Sequence, residues 1–306
     1  MTAPAPPGGG GVPPLTGWPL WWRLLVIGGL WGASFPLIRH AALHLDPWWL
    51  AGTRALAATL VVWAWLLWAG RGGGLGASDF LRHAAVLGTL NGWLPNLLGA
   101  AAMARIESAP AALIQSAAPL LVAVLAALAL PGERPGRRAV LGLLLGFAGV
   151  AAIAGPDALE GRASGTGAAL MLLVAASYAC GTVYTRAARP GAADRLVLGQ
   201  QVVSVLGAAA VGAAFGPSAP SPDVPWTVWA AVALLAVLGS AVPLTMFLSL
   251  VQRARTTDAA MVGYLQPVSA AAAGALLLSE WPEPRALAGG AVVLAGVWIA
   301  TGAGRR

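Results

Sequence analysis

"PGERPGRRAVLG" occupies residues 131–142 between two long apolar runs, and "SEWPEPRALAGG", residues 279–290, is a second, imperfect copy of it. Pairing Glu133 with Glu280 sets an offset of 147. The same offset pairs Pro135 with Pro282, Arg138 with Arg285, Gly142 with Gly289, Ala148 with Ala295 and Gly149 with Gly296. Further upstream an offset of 148 pairs Pro95 with Pro243, Arg105 with Arg253, Ala111 with Ala259 and Pro119 with Pro267. A single-residue gap joins the two registers. Alanine matches carry little weight in so alanine-rich a chain; the Pro, Arg and Glu matches carry the argument.

What is repeated is a membrane unit. The chain has 306 residues, 58% hydrophobic and only 9% charged, against roughly 25% charged in soluble domains. A bilayer core of about 30 Å needs about 20 helical residues. On that measure ten spans are expected, at 22–42, 47–69, 80–103, 109–130, 137–155, 166–186, 195–214, 226–250, 257–279 and 285–302. Pro/Gly-rich stretches such as "AGRGGGLGASD" (69–79) and "GPSAPSPDVP" (216–225) separate them. Five spans per copy is an odd number, so the second copy enters the membrane from the opposite side. The expected architecture is an all-α membrane protein of two inverted five-helix repeats, 22–155 and 166–302, after a disordered tail at 1–21 without the basic segment of a cleaved signal peptide.

Charge placement agrees with inversion. All 18 basic residues are arginines, and with the N-terminus inside, 13 fall inside and 5 outside. The loop after Glu133 keeps Arg134, Arg137 and Arg138; its copy keeps only Arg285 and gains Glu283. Both termini are expected inside. The arginines are scattered through the gaps, so a nucleic-acid partner is not expected. One cysteine, Cys180, excludes an internal disulfide and four-cysteine metal sites. No HExxH, GxSxG or GxxxxGK[ST] pattern appears, His40, His44 and His83 sit near span ends, and no enzyme activity, cofactor or metal is expected. An inverted repeat is the sequence signature of alternating access, with a site near the midplane between two halves. A scaffold would not need two such halves.

"LWGASFPLIRHAAL" (30–43), "SAPAALIQSAAPLLVAVLAALALPGERP" (108–135) and "TTDAAMVGYLQPVSAAAAGALLLSEWPEP" (256–284) resemble the drug/metabolite transporter superfamily in its ten-helix, EamA-like branch. The resemblance covers residues 22–302. It implies a central cavity lined mainly by the first, third, fourth, sixth, eighth and ninth spans. It also implies export of amino acids or similar small metabolites across a bacterial-type cytoplasmic membrane. A lipid or lipid-linked-sugar translocator is the alternative. The expected partners are a small-molecule substrate and membrane lipid, as a monomer or a homodimer. In the sixth span Ser177 and Tyr178 align with Ser34 and Phe35, without the Trp-Gly pair that precedes those two.

No carboxylate lies in the middle of any expected span, which argues against the buried acid that anchors organic cations. Arg54 is the deepest charge and a candidate counter-charge for an anion, or else a snorkelling arginine. The uncharged candidates for substrate binding are Ser34, Phe35, Asn91, Trp93, Asn96, Gln115, Ser116, Ser177, Tyr178, Thr182, Thr245, Tyr264 and Gln266, with Trp31 as a further wall. Several flank Pro95, Pro119, Pro243 and Pro267, the expected hinges. Proline inside a helix frees the carbonyl one turn back, and beside a cavity that carbonyl is available to other donors. Glu133 and Glu280 read as punctuation that ends a helix arm. Gly28/Gly32, Gly88/Gly92 and Gly142/Gly146 read as close helix contacts.

Overall fold

The computed structural model describes residues 15–71, 78–106, 108–154, 165–216, 223–278 and 284–301. Residues 1–14, Glu107, the loop acids Asp157 and Glu160 with Arg162, the second-copy residues Glu280, Trp281 and Glu283, and Arg305 and Arg306 lie outside them. Among the described residues every regular element is a helix. In chain order these are α1 (Trp18–Ala42), α2 (Pro47–Trp68), α3 (78–103), α4 (Pro110–Ala129), α5 (Arg137–Ala154), α6 (Gly165–Ala188), α7 (Ala193–Phe215), α8 (Trp226–Arg253), α9 (256–278) and α10 (Pro284–Thr301).

Helix starts follow from local chemistry. Pro19 and Pro47 stand in the first turns of α1 and α2, where a missing N–H leaves nothing unbonded. Asp79, Asp194 and Asp258 stand in the first turns of α3, α7 and α9, where a negative charge meets the positive end of the helix dipole. α1 begins at Trp18, with Pro19 in its first turn, and Leu15 donates its N–H to the Arg253 carbonyl at 2.9 Å.

Eight of these helices are long and apolar enough to cross a membrane, against the ten expected spans. The two that fall short, α3 and α9, are helical but interrupted. In α3 a helix Ser78–Gly88 passes through a π-turn, Thr89–Trp93, into Leu94–Met103, and Asn91, Pro95 and Asn96 make it polar. In α9, Thr256–Ala260 breaks at Met261, and Val262–Leu278 supplies 17 residues.

The π-turn has a cause. Pro95 cannot donate to the Asn91 carbonyl and its ring crowds it, so the chain widens just before the proline. Gly92, at φ −119° and ψ −111°, absorbs the distortion. The same event recurs in α8, where a π-turn at Leu235–Ala241 precedes Pro243. Both π-turns lie just ahead of prolines that the 148 offset pairs.

The helices pack as equivalent partners. α5 lies on α10, α2 on α7, α1 on α9 and α4 on α6. Between α5 and α10 the backbones nearly touch. A Cβ at Gly149 would sit 2.7 Å from the Gly289 carbonyl oxygen and 2.7 Å from the Val293 nitrogen. A Cβ at Gly142 would strike the Gly296 carbonyl and sit 2.6 Å from the Ala300 Cβ. The contacts are crossed: Gly142 meets Gly296, and Gly149 meets Gly289. Since the repeat makes Gly142 equivalent to Gly289 and Gly149 to Gly296, each residue meets the counterpart of its neighbour. α2 and α7 also run antiparallel: a Cβ at Gly52 would sit 3.5 Å from the Ala208 Cβ at one end, and Arg71 lies 3.2 Å from Asp194 at the other.

Filling this contact is expected to force the helices apart. Gly149→Ala should lower stability by about 1–3 kcal/mol, the usual range for overpacking. Gly29→Ala, where nothing lies within 4 Å of a built Cβ, should change it little. Thermal denaturation of the detergent-solubilised protein measures both.

Candidate functional site

The helices surround a central cavity lined by α1, α2, α3, α4, α6, α8 and α9 and, among the described residues, by none from α5, α7 or α10. Its volume is about 120 Å³, the scale of a small molecule. Trp31, Phe35, Tyr178 and Phe247 supply aromatic walls, and Ile38, Leu50, Met103 and Met171 carry the lining toward one end of the bundle. Trp31 and Phe247 meet edge to face with ring centroids 5.1 Å apart.

Among the described residues Arg54 is the one charged side chain on the lining, and it is only 9% exposed. Its Nε donates to the Ser240 hydroxyl at 2.8 Å and one Nη donates to the Gly239 carbonyl at 2.9 Å. That carbonyl lies one turn before Pro243, so Pro243 gives it no backbone N–H; the Trp31 indole donates to it as well, at 3.1 Å. The freed carbonyl is therefore a clamp for Arg54 and Trp31 rather than a group held open for ligand. Gly239 is needed for the approach, because a Cβ there would sit 2.9 Å from the Ser34 hydroxyl and 3.2 Å from the guanidinium. Two of the five guanidinium N–H groups are engaged. Among the described residues no carboxylate lies within ion-pair distance of Arg54.

Four side-chain amides share this lining: Asn91, Asn96, Gln115 and Gln266. Asn91 and Gln266 are 5% and 6% exposed, and the buried Asn91 Oδ1 accepts no hydrogen bond from the described residues. Asn91 is fixed by α6: a Cβ at Gly181 would collide with its amide, so glycine there makes the slot in which the amide lies. Buried polar groups in a packed core are nearly always paired. The Asn91 oxygen lies in that slot, and the other amides of the lining, Asn96, Gln115 and Gln266, offer the cavity neutral donors and acceptors for water or ligand.

Of the sequence-derived candidates, Ser34, Phe35, Arg54, Asn91, Asn96, Gln115, Tyr178, Thr182 and Gln266 reach the cavity, as do Pro95 and Pro119. Five do not, for reasons of helical phase. Residues two apart on a helix face opposite ways, and neighbours differ by about 100°. Trp93, two from both Asn91 and Pro95, packs on Gly207 of α7 instead, with its indole donating to Thr89 at 3.2 Å. Tyr264, two from Val262 and Gln266, is fully buried against Gly146 of α5. Ser116 turns from Gln115 to donate to the Leu113 carbonyl at 2.5 Å, and Ser177 turns from Tyr178 to donate to the Leu90 carbonyl at 2.7 Å. Thr245 donates to the Ala241 carbonyl at 2.8 Å and borders a separate cleft with Trp65, Arg71 and Asp194. Pro243 and Pro267 also lie off the lining. Sequence reasoning missed Gly239 and Ser240. Their signal was the one already applied to the other prolines, since they sit one turn ahead of Pro243.

Glu133 holds the opposite end of the bundle. It is 7% exposed, accepts from Arg186 Nε at 2.8 Å and accepts the Thr256 N–H at 3.2 Å. Arg186 also donates to the Gln252 carbonyl at 3.2 Å. One carboxylate thus ties the loop after α4 to the end of α6 and the start of α9. It is more than the helix punctuation the sequence suggests. Arg39, at the end of α1, donates to the Met103 carbonyl and, at 2.7 Å, to the Ile106 carbonyl, so it caps the C-terminus of α3.

Comparison with known proteins places this architecture. The EamA-like transporter family model matches twice, over residues 20–155 and 165–302. The chain is 28% identical over 297 residues to the protein named "Uncharacterized inner membrane transporter YedA" of Escherichia coli strain K12, covering 93% of this chain and 91% of that protein. The protein of the same name from Escherichia coli O157:H7 matches to the same degree. A solved crystal structure superposes with a TM-score of 0.73 at 22% identity, covering 94% of this chain and 99% of that one, which speaks for the fold. With its family model matched across both halves, the chain belongs to the EamA-like transporter family.

Proposed function

We propose that this protein is a secondary transporter that exports amino acids or similar small metabolites across the cytoplasmic (inner) membrane by alternating access. The observation that carries the reading is the central cavity. It draws its lining from both copies of the repeat and presents Asn91, Asn96, Gln115 and Gln266 to a space of metabolite size. Ser34, Phe35, Tyr178 and Thr182 complete the site, and Arg54 supplies its charge.

The ten helical stretches are ten crossings arranged as two inverted five-helix repeats, 22–155 and 166–302, with both termini inside. Three observations support this. The α5–α10 glycine contacts are crossed as a twofold axis requires. The π-turns precede equivalent prolines in α3 and α8. The arginine bias favours the Glu133 side as the inside. Two such halves have two arrangements related by exchange. We read the present one as closed at the Glu133 end, where the Glu133–Arg186 pair and the bond to Thr256 hold the helices together. Rocking occurs around Pro95, Pro119, Pro243 and Pro267, and just ahead of the first three the helices are already interrupted.

Asn91→Ala and Gln266→Ala are expected to weaken substrate affinity by roughly two- to tenfold each, the worth of a neutral hydrogen bond. Membrane insertion and thermal stability should stay near wild type. Counterflow in proteoliposomes, with a substrate chosen by a thermal-shift screen of amino acids, amines, nucleosides and organic cations, measures the effect. Transport unchanged in both variants would contradict this site.

A further inference from the structure

We infer that the cavity selects its substrate by a carboxylate that docks on Arg54, so that the transported class is organic monoanions with an apolar or aromatic body. The inference rests on the transporter reading above and replaces its amino-acid cargo, zwitterionic at neutral pH, with the monoanions among similar small metabolites.

The argument is one of charge and unspent donors. Arg54 is buried in the wall of the cavity, with two N–H groups engaged by Ser240 and Gly239 and no carboxylate beside it among the described residues. A buried arginine is always charged, and a charge at membrane depth is unfavourable unless paired. The remaining donors therefore define what the cavity accepts. The guanidinium fork matches a carboxylate in two parallel hydrogen bonds. Among the described residues no acid lines the cavity to receive an ammonium, and the amides of Asn91, Asn96, Gln115 and Gln266 are neutral. A carboxylate without a second charge leaves the filled cavity neutral. An amine cation adds to the charge of Arg54, and a zwitterion brings an ammonium with only amide oxygens to meet. Trp31, Phe35 and Phe247 supply the apolar walls for the body of the molecule. The clamp that sets the guanidinium, the Gly239 carbonyl freed by Pro243, is part of the backbone and fixes its direction.

The test uses the full-length protein in detergent and acid–amide pairs: butyrate, hexanoate, 3-phenylpropionate and indole-3-acetate, each against its own amide, with phenethylamine as the cation. At least one acid should bind saturably and at least about tenfold tighter than its amide, the worth of a charge-assisted hydrogen bond. That preference should vanish in Arg54→Gln and be partly kept in Arg54→Lys, which retains charge without the fork. Equal binding of acids and amides by the wild type, tighter binding of phenethylamine, or no acid bound at millimolar concentration would each overturn the inference. So would an unaltered acid preference in Arg54→Gln. The wild-type comparison stands even if a variant fails to fold. Proteoliposome counterflow separates the two readings. An acid that binds but is not exchanged defeats transport and leaves the anion site. Exchange of amides or cations, unaffected by Arg54→Gln, defeats the anion site and leaves transport.

Discussion

A helix that crosses a bilayer must satisfy its own backbone, because no water is present to do so. This chain breaks that rule around the cavity. Pro95 and Pro243 each remove an N–H in mid-helix, and the chain answers with π-turns at Thr89–Trp93 and Leu235–Ala241. The carbonyl released ahead of Pro243 is bonded by Arg54 and Trp31, and the one ahead of Pro95 accepts from Gln200 at 3.4 Å. Polar side chains are thereby drawn to membrane depth beside the breaks. The site exists because the backbone there needs partners from other helices.

The remainder of the bundle is built to hold those breaks. α5 and α10 contribute nothing to the cavity and pack glycine on glycine, a rigid seam at which small residues allow the backbones to meet. α2 and α7 pair along their lengths and end in the Arg71–Asp194 ion pair. The helices that line the cavity are the interrupted ones and their neighbours. Rigid paired helices outside and broken helices inside are the mechanical division that a rocking carrier needs. The Glu133 carboxylate joins α4, α6 and α9 at one end of the bundle through one ion pair and one backbone bond.

Much of this was legible in the sequence. The 147 offset fixed attention on Glu133 and on the glycines that form the seam, and the mid-helix prolines pointed to Asn91, Asn96, Gln115 and Gln266. What failed was helical phase. Proximity in sequence to a proline made Trp93, Ser116, Thr245 and Tyr264 look equivalent to their neighbours, yet one or two residues turn a side chain to another face. The partners of charges were also out of reach. Glu133 binds Arg186, 53 positions away, and Arg54 binds Ser240, 186 positions away, pairings that only the packing of helices brings about. Eight helices and not ten are long and apolar enough to cross because α3 carries Asn91, Asn96 and the π-turn ahead of Pro95, and α9 breaks at Met261.

Alternating access is the central claim, and cysteine accessibility tests it most directly. In a Cys180→Ser background a single cysteine replaces Gln115 in the cavity wall, and a membrane-impermeant maleimide is applied to one face of sealed vesicles at a time. The account predicts labelling chiefly from the face opposite Glu133 in the otherwise wild-type protein. Labelling should shift toward the Glu133 face when Glu133→Gln weakens the inner tie. Labelling from both faces with equal ease in both backgrounds would describe a pore, and labelling confined to one face in both would describe a fixed pocket; either result contradicts the account.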